Sequence, residues 1–162
     1  MKQIVFDSKN IVKKKYEDKK MDDEDELVAF ETQLNFIRNI YMEGETKGNS
    51  EYVSEIKKKI SNYCKQDKIK RRDTSHLICL SSCVELLLKQ KLRCYYCMKK
   101  MYIIFPFKRQ MDQWTLDRID NNVAHNENNV CASCLSCNLK KRQKNHDHWK
   151  FTKQLKIIKK TG

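Results

Sequence analysis

Apolar residues in the first half of the chain recur at helical spacing. Phe30, Leu34, Ile37 and Tyr41 fall on one face, which predicts a helix from Asp23 to Met42, opened by the acidic run Asp22 to Glu26 and stopped at Gly44. After the polar stretch EGETKGNS, Val53, Ile56, Ile60 and Tyr63 repeat the pattern and predict a second helix from Glu51 into Lys70. Its other face carries Lys57, Lys58, Lys59, Lys65, Lys68 and Lys70, a stripe expected to be solvated. A third helix is expected with Ser75 as its cap, running through Leu77, Leu80, Val84, Leu87 and Leu88 and delivering the chain to Cys94.

Beyond Cys94 the period shortens. Tyr102, Ile103, Ile104 and Phe105 form an apolar β-prone run ended by Pro106. Trp114 to Ile119 alternates as a strand, with Trp114, Leu116 and Arg118 on one side and Thr115, Asp117 and Ile119 on the other. Asp120 to Asn129 is too polar for a core element and is expected to be a loop, Asp120 opening its turn. Val130 starts a short returning strand, and Leu135 to Lys144 suits a helix. The expected class is α+β: a helical accessory region over 1–74, a small module over 75–145 including its leading helix, and a basic C-terminal tail over 146–162. Three Gly and one Pro in 162 residues favour helices over a multi-strand sandwich.

Charge sharpens this division. Residues 1–50 hold 9 Lys or Arg against 11 Asp or Glu, whereas residues 51–162 hold 25 against 10, so the formal +13 resides beyond residue 50. Such a balance points to a polyanion, with nucleic acid as the expected partner. A membrane is not expected, because the Lys runs lack the apolar face of an interfacial helix and no segment approaches a span. The first residues, MKQIVFDSKNIVKKK, contain no apolar signal core, so the eight Cys are read in a reducing, intracellular setting, where pairs at two-residue spacing mean metal. Cys64, Cys79 and Cys83 are expected to be small buried apolar residues.

Two thiolates two residues apart in a tight turn can face one ion, and two such pairs complete a tetrahedral Zn²⁺ site. Cys94 and Cys97 make the first pair; Cys134 and Cys137 are the simplest second pair, with Cys131 and Cys134 as the competing choice. Trp114 and Tyr102 are expected to fill the core around the hairpin, and His146 and His148 to face solvent near the terminus.

The run CYYC, LDRIDN, ENNV and CLSCNLKKR resembles the zinc-knuckle HNH endonucleases with a ββα-metal fold, more narrowly the HNH proteins of phages and large DNA viruses that carry DRIDN. The resemblance covers about Leu77 to Lys144 and does not reach the N-terminal helices. It implies a metal-dependent endonuclease acting on DNA, in the cytoplasm or nucleus of a host cell if virus-encoded. It also implies a structural Zn²⁺ and a separate catalytic Mg²⁺ or Mn²⁺ held by Asp117 and Asn138. Asn129 matches the residue that orients the base through the backbone. The base itself, usually His, is replaced by Arg118, which stays protonated and so cannot take a proton from water, but can bind the scissile phosphate or stabilise developing charge. His125 is the expected substitute base, and Lys140, Lys141, Arg142 and Lys144 the expected phosphate contacts. The alternative class is a catalytically silent zinc-binding nucleic-acid module in which Arg118 marks the loss of the base.

Overall fold

The computed structural model describes residues 29–156, and within them the chain is α+β, with five α-helices and a two-stranded antiparallel sheet. Helix α1 (Phe30–Glu43) buries Phe30, Gln33, Ile37 and Ile40; its expected start at Asp23 and the acidic run before it lie outside the described residues. It ends at Gly44, whose φ of 80° is the left-handed conformation that a side chain would strain, and whose N–H bonds the Ile40 carbonyl. Helix α2 (Ser50–Ile69) follows a loop closed by buried Asn49, which accepts from the Thr46 N–H (2.8 Å) and donates to the Gly44 carbonyl (2.9 Å). Twenty residues at helical rise make α2 roughly 30 Å long. That length carries it from Phe36, stacked on Tyr52 at 4.5 Å, to the loop between the strands, where Asp67 touches His125.

The lysine stripe of α2 is not uniformly solvated. Lys57, Lys58, Lys65, Lys68 and Lys70 are exposed, but Lys59 turns inward. Its amine donates to Gln113 Oε1 (3.2 Å) and to the Trp114 carbonyl, and lies over the rings of Phe105 (5.3 Å) and Trp114 (4.9 Å). Burial lowers its pKa to about 7. Helix α3 (Leu80–Lys89) begins five residues later than the expected Ser75 cap. Ser75 instead bonds Asp73 Oδ1 through its N–H (2.9 Å) and hydroxyl (2.6 Å), and the next residues are drawn out against the inter-strand loop. Leu77 bridges Asn126, and the Ile78 N–H bonds the His125 carbonyl at 2.9 Å. Of the cysteines expected to be buried apolar residues, Cys83 is, Cys64 is half-buried, and Cys79 is exposed at the start of α3.

Tyr102–Phe105 does not form a strand. The fully buried Gln33 side chain takes the place of a neighbouring strand: its Oε1 accepts from the N–H groups of Ile103 (2.7 Å) and Ile104 (3.1 Å), and its Nε2 donates to the Ile104 carbonyl (2.8 Å). One amide thereby satisfies backbone groups that a sheet would otherwise pair. The sheet proper is β1 (Trp114–Arg118) against β2 (Val130–Cys134), with Trp114 opposite Cys134 and Asp117 opposite Cys131. Helix α4 (Leu135–Lys141) leaves β2 without a loop and stops three residues short of the expected Lys144, because Arg142 adopts φ 51°. The segment expected to be a basic tail holds a fifth helix, α5 (His146–Gln154), capped by the Asn145 side chain and buried through His146 and Trp149. The buried apolar cluster is continuous from Phe30 to Trp149, so the N-terminal helices and the cysteine-rich part share one core.

Candidate metal centre and basic cleft

Four thiols converge beside the sheet. Cys94 and Cys97 sit in a turn closed by the Met98 N–H on the Cys94 carbonyl and the Cys94 N–H on the Lys99 carbonyl (both 2.9 Å), with Met98 at φ 60°. Cys134 ends β2 and caps α4, and Cys137 lies in the first turn of that helix, its N–H directed at Cys134 Sγ. The four Sγ atoms lie within 4.8 Å of one another, and Cys97 and Cys134 are 3.8 Å apart without a disulfide. Four thiolates at about 2.3 Å from a tetrahedral Zn²⁺ would stand about 3.8 Å apart, so the geometry is compatible with a structural zinc ion. Hydrogen bonds from Cys134 and then Cys137 hold Cys94 far below the ordinary thiol range, a negative charge that an ion would neutralise. Cys97, only half-buried, borders a cleft with Lys99, Lys140 and Lys153, which offers a path from solvent.

Cys131 is not part of this centre. It points to the other group that β1 and β2 assemble, where its thiol, an Asp117 carboxylate oxygen and a His146 ring nitrogen lie within 4.8 Å of one another. The Tyr96 hydroxyl sits among them, donating to Asp117 Oδ2 (2.5 Å), 2.9 Å from His146 Nδ1 and 3.5 Å from Cys131 Sγ. Lys141 closes the group from α4: its amine is 3.0 Å from Asp117 Oδ2 and donates to the Arg118 carbonyl at 2.5 Å. Lys141 is 0% exposed and therefore cannot contact nucleic acid, in contrast to the sequence expectation. Likewise His146, expected in solvent, is buried and stacks on Tyr95 at 4.9 Å, while His148 is exposed as expected.

The residues expected to hold a hard divalent ion each engage β1 or lie on it, with separate partners. Asn138 donates its amide to Thr115 Oγ1 (3.0 Å) and the Leu116 carbonyl (3.3 Å), leaving Oδ1 as its acceptor. Asp117 is 5% exposed, however, and its Oδ2 already accepts from Tyr96 and a buried ammonium. Mg²⁺ or Mn²⁺ requires several oxygens around an open seat. With Lys141 in place that seat is shut, so the arrangement does not fit a divalent ion as it stands.

His125 and Asn129 organise the inter-strand loop. Asn129 Oδ1 accepts from the Asp120 N–H, and its Nδ2 donates to the carbonyls of Asp120 and Ala124, each at 2.9 Å. Asp120 takes its expected turn role through the Asn122 N–H (2.9 Å). His125 is 5% exposed beneath the Tyr63 ring (4.4 Å) and gives both its backbone N–H and Nδ1 to Asp67 Oδ2 (each 2.8 Å). Burial lowers its pKa despite that carboxylate, so the ring is neutral at pH 7 and Nδ1 carries the proton donated to Asp67. It does not line the neighbouring cleft.

That cleft, ≈ 700 Å³, is lined by Arg72, Arg118, Arg142, Lys144 and His146 together with Asp120 and Asp147. Asp67, fully buried on α2, underlies it: Arg72 reaches Oδ1 at 3.1 Å and Arg118 at 3.7 Å. Burial pushes Asp67 toward the protonated form, but hydrogen bonds from His125 and Arg72 outweigh it and hold the carboxyl below its usual range. Sequence reasoning missed Asp67, although it falls four residues after Tyr63 on the apolar face of α2, where a carboxylate needs a partner. Lys140, Arg142 and Lys144 remain exposed, the last over the Trp149 ring at 4.4 Å.

Comparison of the chain with protein-family models, curated proteins and solved structures returned no match. What fold and site define is an α+β chain with a four-thiol centre compatible with structural zinc and a basic cleft beside it. No helix among the described residues is long and apolar enough to cross a membrane.

Proposed function

We propose that the chain is a zinc-stapled, metal-dependent endonuclease of the HNH type acting on DNA. The observation that carries the reading is the set of positions taken by Asp117, Arg118 and Asn138. The first two end β1, the third sits on the helix that follows β2 and bonds back to β1, and Arg118 opens into the basic cleft. A phosphodiester resists attack because its oxygens are already negative, and cationic side chains in a cleft offset that charge. Only with Lys141 displaced would Asp117 and Asn138 Oδ1 be oxygens open to Mg²⁺ or Mn²⁺, an ion that would supply charge stabilisation to the leaving oxygen. For the seat to open, Lys141 has to leave Asp117. His125, buried and clamped to Asp67, is a positioning residue in this reading. His146 lines the cleft, and burial keeps it neutral and able to accept a proton.

A second reading is favoured by the Lys141–Asp117 pair. If the ammonium is a permanent counter-ion, the chain is a catalytically silent zinc module that binds nucleic acid. Purified protein and supercoiled plasmid, with and without Mg²⁺ or Mn²⁺, separate the two. Divalent-dependent nicking supports the endonuclease; salt-sensitive binding without cleavage supports the silent module.

A further inference from the structure

Arg72 and Arg118 stand 46 positions apart in sequence, one just beyond α2 and the other at the end of β1, yet both lean on the same carboxylate. Asp67 Oδ2 is taken up by His125, so Oδ1 alone faces the two guanidinium groups. His125 is neutral, which leaves this group of four with one positive charge in excess. Both arginine side chains are only about one-fifth exposed, so water screens that excess poorly; after burial, the nearness of Arg72 is the next largest cause of the lowered pKa of Arg118. A structural ion pair would need one arginine, whereas two held side by side over a buried carboxylate make an anion receptor.

The arrangement faces the right way for a ligand. Both guanidinium groups line the ≈ 700 Å³ cleft, and Arg142 and Lys144 add to its wall against two carboxylates, Asp120 and Asp147. Arg72 is fixed in plane by Nη1 on Asp67 (3.1 Å) and Nη2 on the Asn121 carbonyl (2.9 Å); the bonds of Arg118 among the described residues engage Nη1 alone. Five N–H groups per guanidinium leave donors on each for a tetrahedral oxyanion.

We propose that Arg72 and Arg118 form a seat for one nucleic-acid backbone phosphate, with Asp67 beneath them as the positioning residue. This rests on the nucleic-acid reading above and extends it to α2, a part of the chain that the HNH resemblance does not cover. The N-terminal helices then belong to the binding site, because they supply Asp67 and deliver Arg72.

The test measures binding of the full chain to a fluorescent duplex of about 20 base pairs without divalent ions, so a protein that never cleaves can still pass. Arg72→Gln and Arg118→Gln should each weaken binding about tenfold and lower the slope of log affinity against log salt by about 0.9, the value for one phosphate contact. The double variant should lose little more than either single one, because both side chains hold the same phosphate. Asp67→Asn gives an opposed sign: removing a negative charge beside the cleft would tighten purely electrostatic binding, whereas loss of positioning weakens it severalfold. Zinc content and melting temperature control for the fold, and if Asp67→Asn does not fold, the partly exposed Arg72 decides alone. Unchanged affinity and salt slope in both arginine variants, or tighter binding by folded Asp67→Asn, would overturn the seat. So would loss of inorganic-phosphate binding with duplex binding intact, which would assign the site to a free anion.

Discussion

Replacing Asp67 by Ala removes the acceptor of three hydrogen bonds at once: the His125 N–H and Nδ1 at 2.8 Å each and Arg72 Nη1 at 3.1 Å. Hydrogen bonds to a charged group contribute about 1.5–3 kcal/mol each, so a simple sum would reach roughly 5–9 kcal/mol. That sum is too large, because Arg72 and Arg118 keep some access to water and would recover part of the loss. Breaking a buried ion pair by removing one partner costs about 3–5 kcal/mol, and we expect the variant in that range. With a urea slope of about 2 kcal/mol per molar, the midpoint should fall by about 2 M. Asp67→Asn keeps one acceptor and should lose about half as much. The loss should persist in 1 M salt, where the Debye length is about 3 Å, because salt screens a buried pair far less than an exposed one. The exposed Lys57–Glu45 pair is the control, and its removal should cost less than about 1 kcal/mol. A loss below about 1 kcal/mol for Asp67→Ala, or one abolished by salt, would refute Asp67 as the hub that joins α2 to the inter-strand loop.

Zinc removal by a strong chelator, or Cys94→Ser with Cys137→Ser, should collapse the hairpin and α4, read as loss of near-ultraviolet dichroism together with the metal; retention of zinc by the double variant would contradict the ligand set. Lys141→Glu should destabilise the fold by several kcal/mol, because it sets a second buried carboxylate beside Asp117, whereas Lys140→Glu should leave the melting temperature within a few degrees of wild type and weaken duplex binding. Stability should also fall on acidification in two steps. His125 and Asp67 both have lowered pKa values in the folded chain, so the unfolded chain takes up protons first. Their contributions are complete above pH ~6.5 and ~3.9 respectively and are lost as the pH falls through the folded values. A urea midpoint equal at pH 7 and pH 5 would contradict the His125 step.

Helices α1 to α4, the hairpin and the four-thiol set were legible because each rests on a periodic or spaced pattern. Val53, Ile56, Ile60 and Tyr63 do lie on the inner face of α2, and the two CxxC pairs do converge. What escaped were polar residues on inner faces. Gln33 follows Phe30 by three positions and precedes Ile37 by four; Lys59 follows Ile56 by three, Asp67 follows Tyr63 by four, and Lys141 follows Cys137 by four. Each was assigned to solvent or, for Lys141, to phosphate contact, or was overlooked, because of its side-chain type, although its position on the helix placed it inside. The partners that make such burial tolerable are distant in sequence: Ile103 and Ile104 for Gln33, Trp114 for Lys59, His125 for Asp67, and Asp117 for Lys141. Helix α5 was hidden by its lysines, although Asn145 is a helix cap and His146 and Trp149 fall one turn apart.

The proposed endonuclease activity stands or falls on plasmid nicking by wild type and by Asp117→Asn, each assayed with Mg²⁺ or Mn²⁺ and checked for zinc content and melting temperature. Wild type should nick the plasmid only with the divalent ion, and Asp117→Asn should lose about 10²-fold or more of that rate with one zinc per chain retained. Wild-type protein that binds the plasmid but leaves it intact with either ion, or folded Asp117→Asn that nicks as fast as wild type, would contradict the proposal.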